Sequence, residues 1–116
     1  MAWKVLLYEE FEPEFYELPQ EVQDELLAYT KLLECYGPHL KRPHADTLNG
    51  SRYDNMKELR FKVASGVWRV AFAFDPERQA ILLVAGDKAG TSQKRFYKQL
   101  IAKADKRFDD HLSRLK

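Results

Sequence analysis

The segment from Glu58 to Lys88, ELRFKVASGVWRVAFAFDPERQAILLVAGDK, constrains the chain most. Side chains on a strand alternate faces with period two. Leu59, Phe61 and Val63 fall on one side, Glu58, Arg60 and Lys62 on the other. Trp68, Val70, Phe72 and Phe74 share a face opposite Arg69, Ala71 and Ala73. The third run, Ala80 to Ala85, is apolar on both sides, as in a central strand covered on both faces. Three consecutive antiparallel strands are predicted, divided at Ser65-Gly66 and at Asp75-Pro76-Glu77-Arg78. A two-residue turn at Ser65-Gly66 sets Lys62 opposite Arg69 and Arg60 opposite Ala71. Arg60, Lys62 and Arg69 then crowd one face over two small alanines. Like charges side by side destabilise a sheet, so their retention points to an anion as the partner.

The remaining elements follow from spacing. Trp3 to Tyr8 is a short apolar run and reads as a first strand. Phe11 to Leu18 suits a short helical turn. Pro19 opens a helix in which Val22, Leu26, Tyr29, Leu33 and Tyr36 recur at helical spacing, and Gly37-Pro38 ends it. His39 to Tyr53 is a polar connection. After the tight loop Gly86–Gly90, Thr91 or Ser92 caps a final helix. Its apolar stripe is Phe96, Leu100, Ile101, Ala104, Phe108, Leu112 and Leu115. The predicted class is α+β: one domain over residues 1–116, a small mainly antiparallel sheet, N-terminal helices packed on one face and a long C-terminal helix.

Composition narrows the function classes. With 45% hydrophobic and 32% charged residues the chain is globular rather than disordered. It contains no apolar run long enough to cross a bilayer, so no membrane partner is expected. The start MAWKVLLYEE does not read as a secretion signal. The lone Cys35 fits a reduced, cytoplasmic setting and is read as a packing residue. The formal net charge of +1 conceals polarity: residues 1–37 carry nine acidic and two basic side chains, residues 88–116 three acidic and nine basic. The acidic segment reads as solvated helix faces. The basic end adjoins the cationic sheet face and suits a polyanion.

Several groups carry potential chemistry. The loop Gly86–Lys94 offers free backbone N–H groups at a helix start, with Lys88 and Lys94 adding charge. It does not match a Walker A loop, and a plain capped turn is the competing reading. His39, His44 and His111 lack metal-ligand spacing, so no metal and no cofactor are expected, and structural or surface roles are preferred. Glu58 and Asp87 flank the basic row and are read as carboxylates that orient arginines. Phe96 and Trp68 are assigned to the core. Tyr97 falls beside the helix stripe, and Tyr53 lies close in sequence to the cationic strands. On a single-stranded RNA site, an exposed aromatic in such a place would stack on a base.

The pieces LNGSRYDNMKELRFK, GVWRVAFAF, ILLVAGDKAG and QKRFYKQLIAKAD, with FEPEFYELPQEV before them, resemble the RelE/ParE superfamily of bacterial toxin–antitoxin toxins, most closely its phage-derived HigB-like branch. The resemblance covers nearly the whole chain. It implies a metal-independent endoribonuclease that cleaves messenger RNA on the ribosome, by attack of a ribose 2′-hydroxyl on the adjacent phosphate. It further implies a helix-turn-helix antitoxin as partner. Arg60 and Arg69 correspond to the family's strand arginines and Lys88 to the basic residue after the last strand. The implied roles are charge stabilisation for the arginines and phosphate contact or proton transfer for Lys88. Lys57, Lys62, Lys94, Tyr53 and Tyr97 are the expected RNA contacts. The histidine or tyrosine that many family nucleases carry near the last strand or the C-terminus has no counterpart here, which leaves the general acid and base unassigned. Two readings compete: a ParE-like inhibitor of DNA gyrase, and a phage-derived module that binds RNA or protein without catalysis.

Overall fold

The computed structural model describes residues 2–64 and 66–115. A five-stranded sheet has the order β1-β5-β4-β3-β2, with β1 Lys4–Leu7, β2 Ala45–Thr47, β3 Met56–Val63, β4 Gly66–Phe74 and β5 Gln79–Asp87. Only β1 pairs in parallel, with β5. The helices are α1 (Phe11–Tyr16), α2 (Gln20–Tyr36) and α3 (Gln93–Arg114). The α+β expectation therefore holds. One strand was not anticipated: β2 arises inside the predicted polar connection, where Ala45 pairs with Leu59 and Thr47 with Lys57.

The hairpin register differs from the expected one by two residues. Val63 faces Gly66, so Arg60 lies directly opposite Arg69 and Lys62 opposite Val67. A shift of two preserves the faces, so the apolar set stays together while the cationic pairing changes. Ser65, part of the expected turn, lies outside the described residues. A bulge at Ala71/Phe72 leaves Leu83 as the extra residue of β5.

Helices cover both faces of the sheet. Tyr29 of α2 packs on Phe61, with ring centroids 5.2 Å apart, so α2 lies on the Leu59/Phe61/Val70 face. Gly37 ends α2 with φ +53, and a Cβ there would lie 2.3 Å from the Trp3 indole; glycine is what lets β1 close against α2. The opposite face carries α3. Phe96, Leu100, Ala104 and Phe108 are buried beneath it, and Ala71 and Ala73 are fully covered. The space above the two alanines thus belongs to the core rather than to an open basic face. Arg107, on the buried side of α3, pairs with Glu14 of α1 at 2.5 and 3.0 Å and donates to the Leu83 carbonyl at 2.7 Å. Tyr36 and Cys35, expected to pack, are exposed at the end of α2.

Candidate functional site

The α3 face is open at its end near the β3–β4 hairpin. Gly86 is the cross-strand neighbour of Arg69. A Cβ on it would lie 3.1 Å from the Phe96 ring, so its absence lets the first turn of α3 settle on the sheet. Ser92 caps that helix by accepting from the Arg95 N–H at 3.2 Å. The result brings Tyr97 over the paired arginines.

Four side chains meet there. Arg69 Nε donates to the Tyr97 hydroxyl at 2.7 Å, and Arg60 Nη2 donates to the same oxygen at 3.3 Å. The hydroxyl donates to Glu58 Oε1 at 2.9 Å, while Glu58 Oε2 accepts from Arg60 at 3.0 Å. A phenol has one proton and two lone pairs, so this hydroxyl is saturated. The Arg69 guanidinium also lies 5.5 Å from the Phe96 ring centre and 5.6 Å from that of Tyr97. The repulsion between two directly opposed arginines is thus offset by one carboxylate, one phenol and two aromatic faces.

Burial separates the two guanidinium groups. Arg69 is 7% exposed, and its Nη1 has no partner among the described residues. The Arg60 side chain is 47% exposed and Glu58 is buried. The hydrogen bond to Tyr97, with the nearby Glu58 charge, raises the pKa of Arg60 above its ordinary value against the opposing effect of burial. Burial, followed by the hydrogen bond to Glu58, raises that of the Tyr97 phenol. Beside the network opens a cavity of about 320 Å³, bordered by Asp46, Asn49, Arg60, Gln93 and Tyr97.

The other expected site residues divide. Lys88 follows β5 and reaches Gln93 Oε1 at 3.4 Å; it touches neither arginine but meets a residue of the cavity wall. Lys62 and Lys94 are exposed near the same end of the molecule, on the hairpin and the first turn of α3. Lys57 is one residue out of phase with Arg60 and projects from the other face, beside Leu40 and Lys41. Tyr53 is also displaced: its hydroxyl bonds Asp109 and its ring packs on Phe108 at 5.0 Å. Asp109 is twelve residues beyond Tyr97 on the same helix, roughly 18 Å along the axis. The loop before α3 is a capped turn closed by the Thr91 N–H on the Lys88 carbonyl, at 3.1 Å. Glu58 orients Arg60 as its position suggested. His111 is structural, bonding the buried Asp75 at 2.8 Å. Among the described residues no His, Cys, Asp and Glu side chains group to hold a metal.

The model of the phage-derived Gp49-like protein family matches residues 13–109. The chain belongs to that family. It is 44% identical over 109 residues to HigB3, a candidate toxin of Mycobacterium tuberculosis, covering 94% of this chain and 93% of that protein. It is also 44% identical to HigB2, a candidate toxin of the same organism, over 83% of this chain and 48% of that protein. The fold is that of the Escherichia coli toxin RelE, solved as an arginine double mutant in the free state. The TM-score is 0.60 at 15% identity, covering 89% of this chain and 97% of that one. By sequence the chain is thus similar to HigB toxins, and its likeness to RelE is one of fold.

Proposed function

We propose that this Gp49-like protein is the toxin of a toxin–antitoxin module and a metal-independent endoribonuclease acting on messenger RNA at the ribosome. Its partner is a helix-turn-helix antitoxin, and the setting is the cytoplasm. The observation that carries the reading is the junction of two strand arginines on one Tyr97 hydroxyl at the mouth of an open cavity. Cleavage by a neighbouring 2′-hydroxyl develops negative charge on the phosphoryl oxygens, and preorganised cations lower that barrier.

The roles differ from a simple cluster of three cations. Arg60 is the group that meets phosphate. Of its five N–H donors, only those on Nη2 are engaged among the described residues. Arg69 and Tyr97 are positioning residues. Arg69 is buried, and Tyr97 has no proton to spare while it donates to Glu58. Lys88, held 3.4 Å from Gln93 Oε1 at the cavity wall, adds positive charge beside the site.

The test is expression of the chain with mapping of cellular RNA ends, alongside a gyrase supercoiling assay. Cuts inside translated codons, reduced about 100-fold in Arg60→Ala, support the reading. Intact messages with inhibited gyrase would replace it by a ParE-like activity, and neither effect would leave a non-catalytic binding module.

A further inference from the structure

We propose that the cavity between Asp46 and Tyr97 receives a nucleobase bearing an exocyclic amino group, with Asp46 as the residue that selects it. The inference rests on the nuclease reading and adds to it a substrate preference. At about 320 Å³ the cavity lies within the range of small-molecule sites, about 300–1,000 Å³. Arg60 forms part of its wall, so a nucleotide whose phosphate meets Arg60 has its base within reach of the interior.

The wall chemistry discriminates among bases. Asp46 Oδ2 accepts from Arg42 Nε at 2.8 Å, and Oδ1 accepts from the Thr47 N–H at 2.8 Å. These bonds hold its carboxyl below the usual carboxylate range, so Asp46 is a pure acceptor near neutral pH. A carboxylate offers about four lone-pair positions, and two remain for a ligand. Adenine, cytosine and guanine present amino hydrogens to such an acceptor. Uracil presents one N–H between two carbonyl oxygens, which a carboxylate repels. Glu58, the other carboxylate of the wall, is turned to the protein, accepting from Tyr97 on Oε1 and from Arg60 on Oε2. Asn49 and Gln93 carry amides that both donate and accept, so they hold a base without choosing against uracil. The loop carrying Asn49 is fixed to α3: Ser51 bonds Asp105 at 2.5 Å and the Arg52 guanidinium pairs with Asp109. The wall is therefore preformed.

The experiment titrates the full chain with ribose 5-phosphate and with AMP, CMP, GMP and UMP by calorimetry. The expected result is that the three amino-bearing nucleotides bind more tightly than ribose 5-phosphate, and UMP roughly tenfold more weakly than AMP. Asp46→Asn, whose amide also donates, is expected to bring the AMP/UMP ratio close to one. That ratio is insensitive to the fraction of folded protein. UMP binding as tightly as the others, an unchanged ratio in Asp46→Asn, or no binding of any nucleotide overturns the proposal. Ribose 5-phosphate is scored separately: loss of its binding in Arg60→Ala supports the phosphate role even where base selection fails. Ribose 5-phosphate binding that persists unchanged in Arg60→Ala counts against the nuclease reading itself.

Discussion

The Tyr97 hydroxyl is where the candidate site is most easily dissected. It is a single atom with three partners: two arginines donate to it and one buried glutamate accepts from it. Tyr97→Phe keeps the ring beside Arg69 and removes only that atom. It leaves Arg69 Nε and Glu58 Oε1 without this partner, at a cost of about 1–3 kcal/mol. A lower melting temperature is therefore expected. RNA cleavage should fall less than in Arg60→Ala, and Arg60→Lys should not substitute for arginine: Nη2 alone meets Glu58 and Tyr97, and a lysine, with one nitrogen, has no further nitrogen to turn toward a phosphate. If Tyr97→Phe abolishes cleavage as completely as Arg60→Ala, then the phenol acts directly on RNA rather than through Arg60. Lys57 carries a lesson at the same scale. Its odd position puts it in phase with Leu59, so the period-two rule that separated the two faces already excluded it from the arginine side. Tyr53 offered no such signal, because its partner Asp109 is 56 residues away.

At the level of elements, the tie between α1, α3 and β5 depends on Arg107, which is buried, while the Glu14 side chain is 39% exposed. This asymmetry predicts an order of stabilities. Glu14→Ala strands a buried guanidinium and is expected to cost about 3–5 kcal/mol. Arg107→Met removes the charge, returns Glu14 toward water, and takes the Arg107 donor from the Leu83 carbonyl, for about 1–3 kcal/mol. Urea unfolding of the two variants checks this, and equal losses would mean that Arg107 is better hydrated than its burial indicates. Arg107 was legible in part, since Leu100, Ala104, Arg107 and Phe108 share one side of a 3.6-residue period. The long elements were legible for the same reason: β3, β4, α2 and α3 each repeat a pattern long enough to show its period. Strand β2 was not, because three residues, Ala45-Asp46-Thr47, show no alternation, and only their pairing with Leu59, Glu58 and Lys57 makes them a strand. The hairpin register was not either. Faces survive a shift of two, so a pattern of faces cannot separate the two registers. That single ambiguity decided whether Arg60 would oppose an alanine or Arg69.

Across the whole molecule, two kinds of group with displaced pKa values, carboxyls and tyrosines, shape the dependence on pH. Burial pushes the Asp75 carboxyl up, but hydrogen bonds from His111, Gln79 and two backbone N–H groups outweigh it, and the net shift is down. The hydrogen bond from Arg107 lowers Glu14 against a smaller effect of burial. A carboxyl lowered by folding stabilises the protein above its unfolded value of about 4, and loses that contribution as pH falls through the folded value. The tyrosines behave in the opposite sense. Burial and the bond to Asp110 push Tyr8 up to about 12, and burial with Glu58 raises Tyr97. A phenol raised by folding stabilises the protein fully below about 10 and loses that contribution as pH rises through the folded value. The melting temperature is therefore expected to be nearly flat from about pH 5 to 9 and to fall on both sides. Asp75→Asn should lower the plateau, since the amide keeps one acceptor oxygen for the N–H groups of the 75–79 turn but replaces the one that meets His111 and the Gln79 side chain with a donor. It should also flatten the acid limb. Tyr8→Phe should flatten the alkaline limb and leave the acid limb as it was. If both variants keep the wild-type slopes, the pH dependence comes from the net charge of the surface, and the buried hydrogen bonds assigned to these groups are not the ones that set it.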